Sequence, residues 1–320
     1  MNGENESDSI IEISELSKVF KVGFWGRKVN AVQGLNLEVR SNEIFGFLGP
    51  NGAGKTTTIK MILNLIYQTK GEIKIFGKPN TDVGLRKRIG FLPENPYFYD
   101  YLKAREFLNF YGQLMDLSRS ERNAKTGELL KMVGLENVDN IQLRRFSKGM
   151  VQRLGLAQAL INDPDLVILY EPMSGLDPVG RKEMRDIILD MKRQGKTVFF
   201  STHILPDVEM VCDRVAIIHD GKMRAIGALS DILGPTVKNV DVTVGGIDDE
   251  SRLSEFAERI IRSGNIVHLS LERPELLDKL IRCVLEMGGG IIEVFPRRQS
   301  LETYFLEKVG ENDNGTEDSI

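Results

Sequence analysis

The spacing of apolar residues changes several times along this chain, and each change predicts a different kind of element. In residues 10–40 apolar positions alternate with polar ones, which is typical of β-strands with one buried face. Continuous apolar runs at 43–48, 166–170 and 197–201 predict buried strands. A helical spacing follows the first run, and another fits residues 180–193 between the second and third. This order predicts an α/β core.

A helical segment interrupts that core over residues 100–162. Its apolar residues recur every three or four positions, as on the buried face of a helix. One predicted face consists of Phe107, Phe110, Tyr111 and Leu114, and another consists of Met150, Leu154, Ala157 and Ile161. We therefore expect a helical insertion between strands of the α/β core.

A boundary is predicted near residues 234–239, where Gly and Pro interrupt the pattern. Beyond it, a small α/β domain with the order βαβαβα is expected over 238–310. The predicted elements are strands at 240–244, 267–271 and 290–295 and helices at 251–263, 274–287 and 300–309. The polar tails at 1–9 and 311–320 are expected to be disordered.

Composition limits the partners and the cellular compartments that are expected for the protein. Its 320 residues carry a net charge of −4, so no basic excess points to a nucleic-acid partner. Cys212 and Cys283 are far apart and lack a metal-binding spacing, which favours two reduced thiols. The acidic N-terminus does not resemble a signal peptide, and no apolar run approaches the roughly 20 residues of a membrane span. A membrane role would therefore need a partner.

Residues 49–56 form a complete G-x-x-x-x-G-K-S/T phosphate loop between a predicted strand and a predicted helix. Its glycines let backbone N–H groups surround phosphate oxygens at a helix N-terminus. Lys55 can reach the β- and γ-phosphates, and the Thr56 hydroxyl can ligate Mg²⁺. The predicted nucleotide-binding residues here are Gly49, Pro50, Asn51, Gly52, Ala53, Gly54, Lys55, Thr56 and Thr57.

Five further motifs follow in a fixed order, and together with the phosphate loop they resemble the ATP-binding cassette (ABC) ATPases over residues 10–235. They are the Q-loop position at 92–95, the signature at 146–153, the Walker B strand at 165–172, the D-loop at 174–178 and the switch-histidine loop at 201–203. The resemblance implies a P-loop fold with a mixed core sheet, an N-terminal antiparallel β part and a helical insertion. It also implies ATP and Mg²⁺ as cofactors.

The resemblance assigns roles to individual side chains. Glu171 would orient or deprotonate the attacking water, His203 would contact the γ-phosphate, and Glu94 would help to bind the metal. Cassettes of this family sandwich two ATP molecules between two subunits. Ser147, Gly149 and Asp177 would therefore meet the nucleotide held by a second copy.

Adenine in this family stacks on an aromatic side chain of the N-terminal sheet. Phe20 occupies the matching place, but Phe24 and Trp25 compete with it because residues 23–28 resemble an insertion. Any of the three rings could instead belong to the core.

Four residues, in three of the motifs, depart from the family pattern. Tyr170 stands where the Walker B strand has an Asp that holds Mg²⁺ through water, and a phenol cannot supply that charge near neutral pH. The sequence therefore predicts a weakened metal site. Glu94 replaces a Gln, and Lys148 and Met150 replace Gly and Gln of the signature.

The Ser-Lys-Gly-Met variant resembles ATPases of exporters whose permease is a separate chain, as does the segment 296–306. The resemblance implies an ATPase subunit bound at the cytoplasmic face of the membrane only through that permease, and working as a dimer. The aromatic residues of 96–101 are expected to receive the permease. Two alternatives are a soluble ABC ATPase unconnected with transport and a weakly hydrolysing, nucleotide-gated module suggested by Tyr170.

Overall fold

The computed structural model describes residues 9–23, 26–234, 237–247, 249–257, 259–298 and 300–310. The chain divides into two compact units between Leu229 and Ser230, a few residues before the predicted end of the cassette at 235. Within these described ranges, no helix has the length and apolar content needed to cross a bilayer.

The first unit contains two sheets. The N-terminal sheet is antiparallel, with the order β2-β1-β4-β5. The second sheet has the order β10-β9-β3-β8-β7-β6, in which only β10 runs antiparallel to its neighbour. The strands are β1 (Ser9–Val22), β2 (Arg27–Arg40), β3 (Ile44–Leu48), β4 (Lys70–Ile75), β5 (Lys78–Pro79), β6 (Ile89–Leu92), β7 (Leu166–Tyr170), β8 (Thr197–Thr202), β9 (Arg214–His219) and β10 (Lys222–Ala228).

Helices connect the parallel strands and form the predicted insertion between β6 and β7. The α-helices described in the first unit, with the one that begins at its end, are α1 (Lys55–Ile62), α2 (Ala104–Leu114), α3 (Arg119–Met132), α4 (Lys148–Ala159), α5 (Pro178–Arg193), α6 (Leu205–Val211) and α7 (Leu229–Leu233). On α2 only part of the predicted apolar face is covered: Phe107 is buried, whereas Phe110 and Leu114 are exposed.

The centre of the second sheet is buried on both faces, which explains its continuous apolar runs. All residues of β3 and β8 are buried. The ring of Phe199 lies 6.0 Å from that of Phe45 and 5.5 Å from that of Phe47. This packing fixes the carboxyl ends of neighbouring strands side by side, where loops can carry functional groups.

The second unit is an antiparallel sheet with the order β12-β13-β11-β14 and two helices. Alternate valines of β11 and apolar residues of β13 face a core that also includes Leu280 and Val284 of α8. Its elements are β11 (Val237–Gly245), β12 (Arg259–Ser263), β13 (Ile266–Leu271), α8 (Leu277–Glu286), β14 (Gly290–Arg298) and α9 (Leu301–Gly310).

The predicted helix at 251–263 is wrong. Within the described parts of this segment, 251–257 and 259–263, only Ser251–Leu253 is helical, as a short 3₁₀ turn, and Arg259–Ser263 is strand β12. β12 pairs with β13 through a tight turn in which Gly264 has φ +61°. Ile260 packs against the core while Ile261 is exposed, a period of two that the short segment did not reveal. The order is therefore βββαβα, not βαβαβα.

Other differences lie at element ends. Ser9, assigned to the N-terminal tail, is buried and begins β1. The helix at 274–287 begins with the 3₁₀ turn Pro274–Leu276. Residues 1–8 and 311–320 of the predicted tails lie outside the described residues, as do Phe24 and Trp25.

Candidate nucleotide site

Four of the predicted site features meet at one edge of the six-stranded sheet. The phosphate loop follows β3, Glu94 follows β6, Glu171 follows β7 and His203 follows β8. These four strands are parallel neighbours, so their carboxyl ends share this edge. A crevice at such an edge is the common place for a ligand in α/β proteins.

The phosphate loop requires glycine at several of its positions. Gly52 and Gly54 have φ +84° and +107°, a region that residues with a Cβ rarely adopt. A Cβ at Gly54 would lie 2.5 Å from the Ala31 carbonyl oxygen, and one at Gly49 would lie 2.3 Å from that of Ile218. Close backbone packing therefore shapes the loop at the N-terminus of α1.

Lys55 is the first residue of α1 and is almost completely buried. Its Nζ donates hydrogen bonds to the carbonyl oxygens of Gly49 (2.6 Å) and Pro50 (3.1 Å). Burial lowers the pKa of Lys55, while the carboxylates of Glu171 and Glu94 oppose that shift. An ammonium group held inside the loop with the N-terminus of α1 provides a binding site for a polyanion.

Tyr170 reaches the phosphate loop. Its hydroxyl lies 2.5 Å from the Thr56 hydroxyl, and either oxygen can donate. Burial raises the pKa of Tyr170, the Thr56 hydrogen bond opposes this shift, and the negative charges of Glu94 and Glu171 add to it. The phenol is therefore neutral at physiological pH. Asp165 cannot replace the missing carboxylate, because it lies at the opposite end of β7 in an ion pair with Arg88.

Glu171 is held rigidly where β7 ends. Its side chain is buried; Oε2 accepts a hydrogen bond from Thr202 Oγ1 (3.0 Å) and Oε1 lies 2.8 Å from His203 Nδ1. Its backbone N–H donates to the Ser201 carbonyl, and φ is +51°. A non-glycine residue in this region costs about 1–3 kcal/mol, which the surrounding contacts must offset.

The His203 side chain lies between the buried Glu171 carboxylate and solvent. It is half exposed, and the contact between Nδ1 and Glu171 leaves Nε2 available for a ligand. Burying a carboxylate without such partners would be costly. The pair therefore holds the Glu171 carboxylate in place and presents an imidazole nitrogen beside it.

The signature and the D-loop begin helices. Ser147 caps α4 by accepting from the Met150 N–H (3.3 Å), and Asp177 caps α5 by accepting from the Gly180 N–H (3.0 Å). Both caps are exposed. Lys148 lies against Gly175, where a Cβ would be 2.6 Å from its Nζ. These contacts join the signature to the D-loop and leave the N-terminus of α4 accessible.

Glu94 lies in the six-stranded sheet's edge region with the phosphate loop, whereas Phe20 lies in the N-terminal sheet. Glu94 is half-buried, and its charge affects the pKa of both Lys55 and Tyr170, which puts it at the same crevice. Phe20 lies in β1 with 36% of its surface exposed, and Lys18 Nζ is 5.0 Å from its ring centre. Its role in stacking on adenine stays a prediction.

Two supporting residues escaped the sequence analysis. Gln152 of α4 donates from Nε2 to the Glu171 carbonyl (3.4 Å), which links the signature helix to the Walker B end. Asp207 of α6 is buried and accepts from Arg185 of α5 (3.2 Å). An acid three residues into a helix is common at protein surfaces, so the sequence carried no signal for this buried pair.

Comparisons with known proteins agree with this geometry. Residues 32–174 match the ABC transporter family model. An uncharacterised ABC transporter ATP-binding protein of Synechocystis is 41% identical over 95% of this chain and 85% of its own length. The bacitracin transport ATP-binding protein BcrA of Bacillus licheniformis is 35% identical over 94% and 98%, respectively. The Nod factor export ATP-binding protein I of Burkholderia lata is 33% identical over 87% and 92%.

One solved structure shows the same cassette fold with nucleotide bound. The ATP-binding cassette MJ0796, a dimer in a post-hydrolysis state with ADP and Pi, is 26% identical and has a TM-score of 0.64. The match covers 69% of this chain and 99% of that one. Since the phosphate loop, the Walker B end and the switch histidine meet at one sheet edge and full-length relatives share the sequence, the chain belongs to the family of ABC transporter ATP-binding subunits.

Proposed function

We propose that this subunit hydrolyses ATP and that the hydrolysis drives a separate permease. The observation that carries the proposal is Glu171: a buried carboxylate held by Thr202 and His203 at the edge where the phosphate loop lies. With the triphosphate bound through Lys55, Glu171 accepts a proton from the attacking water or orients it. His203 contacts the γ-phosphate through its exposed nitrogen, which can donate only when both ring nitrogens carry protons, because Nδ1 faces the Glu171 carboxylate.

Mg²⁺ fits the donors that remain. Among the described residues there is no group of three or more His, Cys, Asp or Glu side chains that could hold a metal alone. Mg²⁺ sites in nucleotide enzymes need only one or two protein ligands, because phosphates and waters complete the shell. The Thr56 hydroxyl would ligate the ion and Glu94 would accept from its water, and the bound ion would neutralise phosphate charge.

Two copies would be needed for a complete site. The exposed N-terminus of α4 with Ser147 and Gly149, and the exposed Asp177, would contact ATP held by the partner cassette. Every motif of both halves is present in this chain, so a homodimer suffices. Closure around ATP and opening after hydrolysis would supply the movement that the permease uses.

We propose an exporter at the cytoplasmic face of the membrane. The Ser-Lys-Gly-Met signature resembles export ATPases, and the Nod factor relative is named for export. The bacitracin relative is named for transport, which favours a transporter over an ABC ATPase unconnected with transport.

Release of phosphate from ATP by the purified chain tests the enzymatic part of the proposal. The wild-type chain should release phosphate in Mg-ATP, whereas Lys55→Ala should lose most of this activity because the phosphates lose their buried cation. Binding of ATP without any turnover by the wild-type chain would instead favour the nucleotide-gated module.

The permease would dock on an aromatic patch of the insertion, formed by Tyr97, Tyr99, Tyr101 and Phe110. Their exposed fractions are 91%, 52%, 63% and 41%. Phe98 between them turns inward and contacts Phe107, with ring centres 4.4 Å apart. Exposed rings anchored by a buried neighbour suit an interface centre.

Tyr97→Ala should reduce co-purification with the co-expressed permease without changing ATP hydrolysis or the melting temperature, because the Tyr97 ring is almost wholly in solvent. Tyr67→Ala is the matched control, since Tyr67 is 74% exposed outside the insertion. Full permease binding by the Tyr97 variant, or an equal loss in the Tyr67 variant, would contradict the docking assignment.

A further inference from the structure

The contact between Tyr170 and Thr56 joins the strand end of β7 to the first turn of α1. Both side chains are half-buried, and Tyr170 also packs against the buried core of the first unit. Their hydroxyl oxygens are 2.5 Å apart. Among the described residues, Thr56 is the hydrogen-bond partner of the phenol, which leaves the phenol able to make further hydrogen bonds.

The protons and lone pairs of the two hydroxyls limit the hydrogen bonds that Thr56 and Tyr170 can make. A hydroxyl has one proton and two lone pairs. When Thr56 donates its proton to Tyr170, the acceptor in reach, the lone pairs of Thr56 stay open with or without a cation. The phenol proton is then free to be donated towards the loop. A carboxylate in this place could accept from Thr56 but would have no proton to donate.

Charge also distinguishes the phenol from a carboxylate at position 170. Glu94 and Glu171 already act electrostatically on Lys55 and Tyr170 at this crevice. A carboxylate at position 170 would add a third negative charge beside the triphosphate, tolerable only with a cation between them. The neutral phenol removes that repulsion and leaves a donor in its place.

We propose that the Tyr170 hydroxyl is a nucleotide-positioning group, which accepts the Thr56 proton and donates its own to a phosphate oxygen of ATP, so that this chain retains ATP without a divalent metal. The inference rests on the proposed ATP-binding function of the loop and extends it. The direct hydrogen bond from Tyr170 thereby lowers the dependence of nucleotide binding on the metal.

Equilibrium binding of ATP to the full chain, measured by calorimetry in EDTA and in Mg²⁺, tests this. For the wild-type chain the dissociation constant in EDTA should lie within about tenfold of that in Mg²⁺, because the phenol replaces an acid that would repel metal-free ATP. Tyr170→Phe should weaken metal-free binding by about tenfold, the loss expected for a hydrogen bond to a charged group. Tyr170→Asp should weaken metal-free binding further while retaining or strengthening binding in Mg²⁺.

Each outcome is decisive. A wild-type ratio above about tenfold, or a Tyr170→Phe chain that binds metal-free ATP as tightly as the wild type, would overturn the inference and leave the proposed function intact. Failure of the wild type to bind Mg-ATP would overturn the proposed function itself. Melting curves establish that each variant is folded, and if Tyr170→Phe is not, the contrasting effects of Tyr170→Asp on metal-free and Mg²⁺ binding decide the matter.

Discussion

Glu171→Gln is expected to lower ATP turnover by about 10²–10⁴-fold, the contribution typical of a positioned general base. The amide has almost the same shape as the carboxylate, so it can still accept from Thr202 and contact His203. It cannot accept the proton of the attacking water. ATP binding should stay close to that of the parent, since the phosphates are held by the loop and Lys55.

The rate is measured as phosphate release at saturating Mg-ATP, with calorimetric ATP binding and the melting temperature as controls. Turnover at the parental rate in a folded variant that binds ATP would show that Glu171 is not the base. A fall that merely followed a loss of folding would appear in the melting temperature, so the two causes separate.

Gly54→Ala should abolish measurable ATP binding and destabilise the cassette by about 3–5 kcal/mol. Its backbone has φ +107°, and the new Cβ would lie 2.5 Å from the Ala31 carbonyl oxygen. The conformation alone costs about 1–3 kcal/mol, and the overlap with rigid backbone adds to it. Any relaxation must displace the loop, which moves the N–H groups that bind phosphate.

Gly52→Ala is the matched control for this effect. Gly52 lies in the same loop with φ +84°, but a Cβ there would meet no atom within 4 Å. Chemical denaturation without nucleotide should therefore show the smaller loss for Gly52→Ala, reflecting backbone strain alone. Equal stability of the two variants, with ATP binding retained by Gly54→Ala, would contradict the assignment of this packing to the loop.

The geometry of the candidate site was largely predictable from the sequence, for a physical reason. Each motif follows a buried strand, and parallel strands bring their carboxyl ends to one edge. The loop, Glu94, Glu171 and His203 therefore had to lie together once the runs before them were identified as parallel strands. The role of each side chain in catalysis remains a proposal.

What the sequence did not reveal depends on contacts between distant residues. Thr56 and Tyr170 are separated by 114 positions, so their hydrogen bond could not be inferred from local pattern. The burial of Asp207 beside Arg185 depends likewise on how α5 and α6 pack. The segment 251–263 was misassigned because a five-residue strand has too few positions to distinguish a period of two from a helical period.

Two chains complete the proposed nucleotide site, and light scattering of Glu171→Gln tests this most directly. The variant is measured at high concentration without nucleotide, with ATP in EDTA, and with Mg-ATP. A monomer without nucleotide that becomes a dimer in Mg-ATP, when hydrolysis can no longer reopen it, is the predicted result. A monomer under all three conditions, with calorimetry showing ATP bound, would contradict a site that two chains complete.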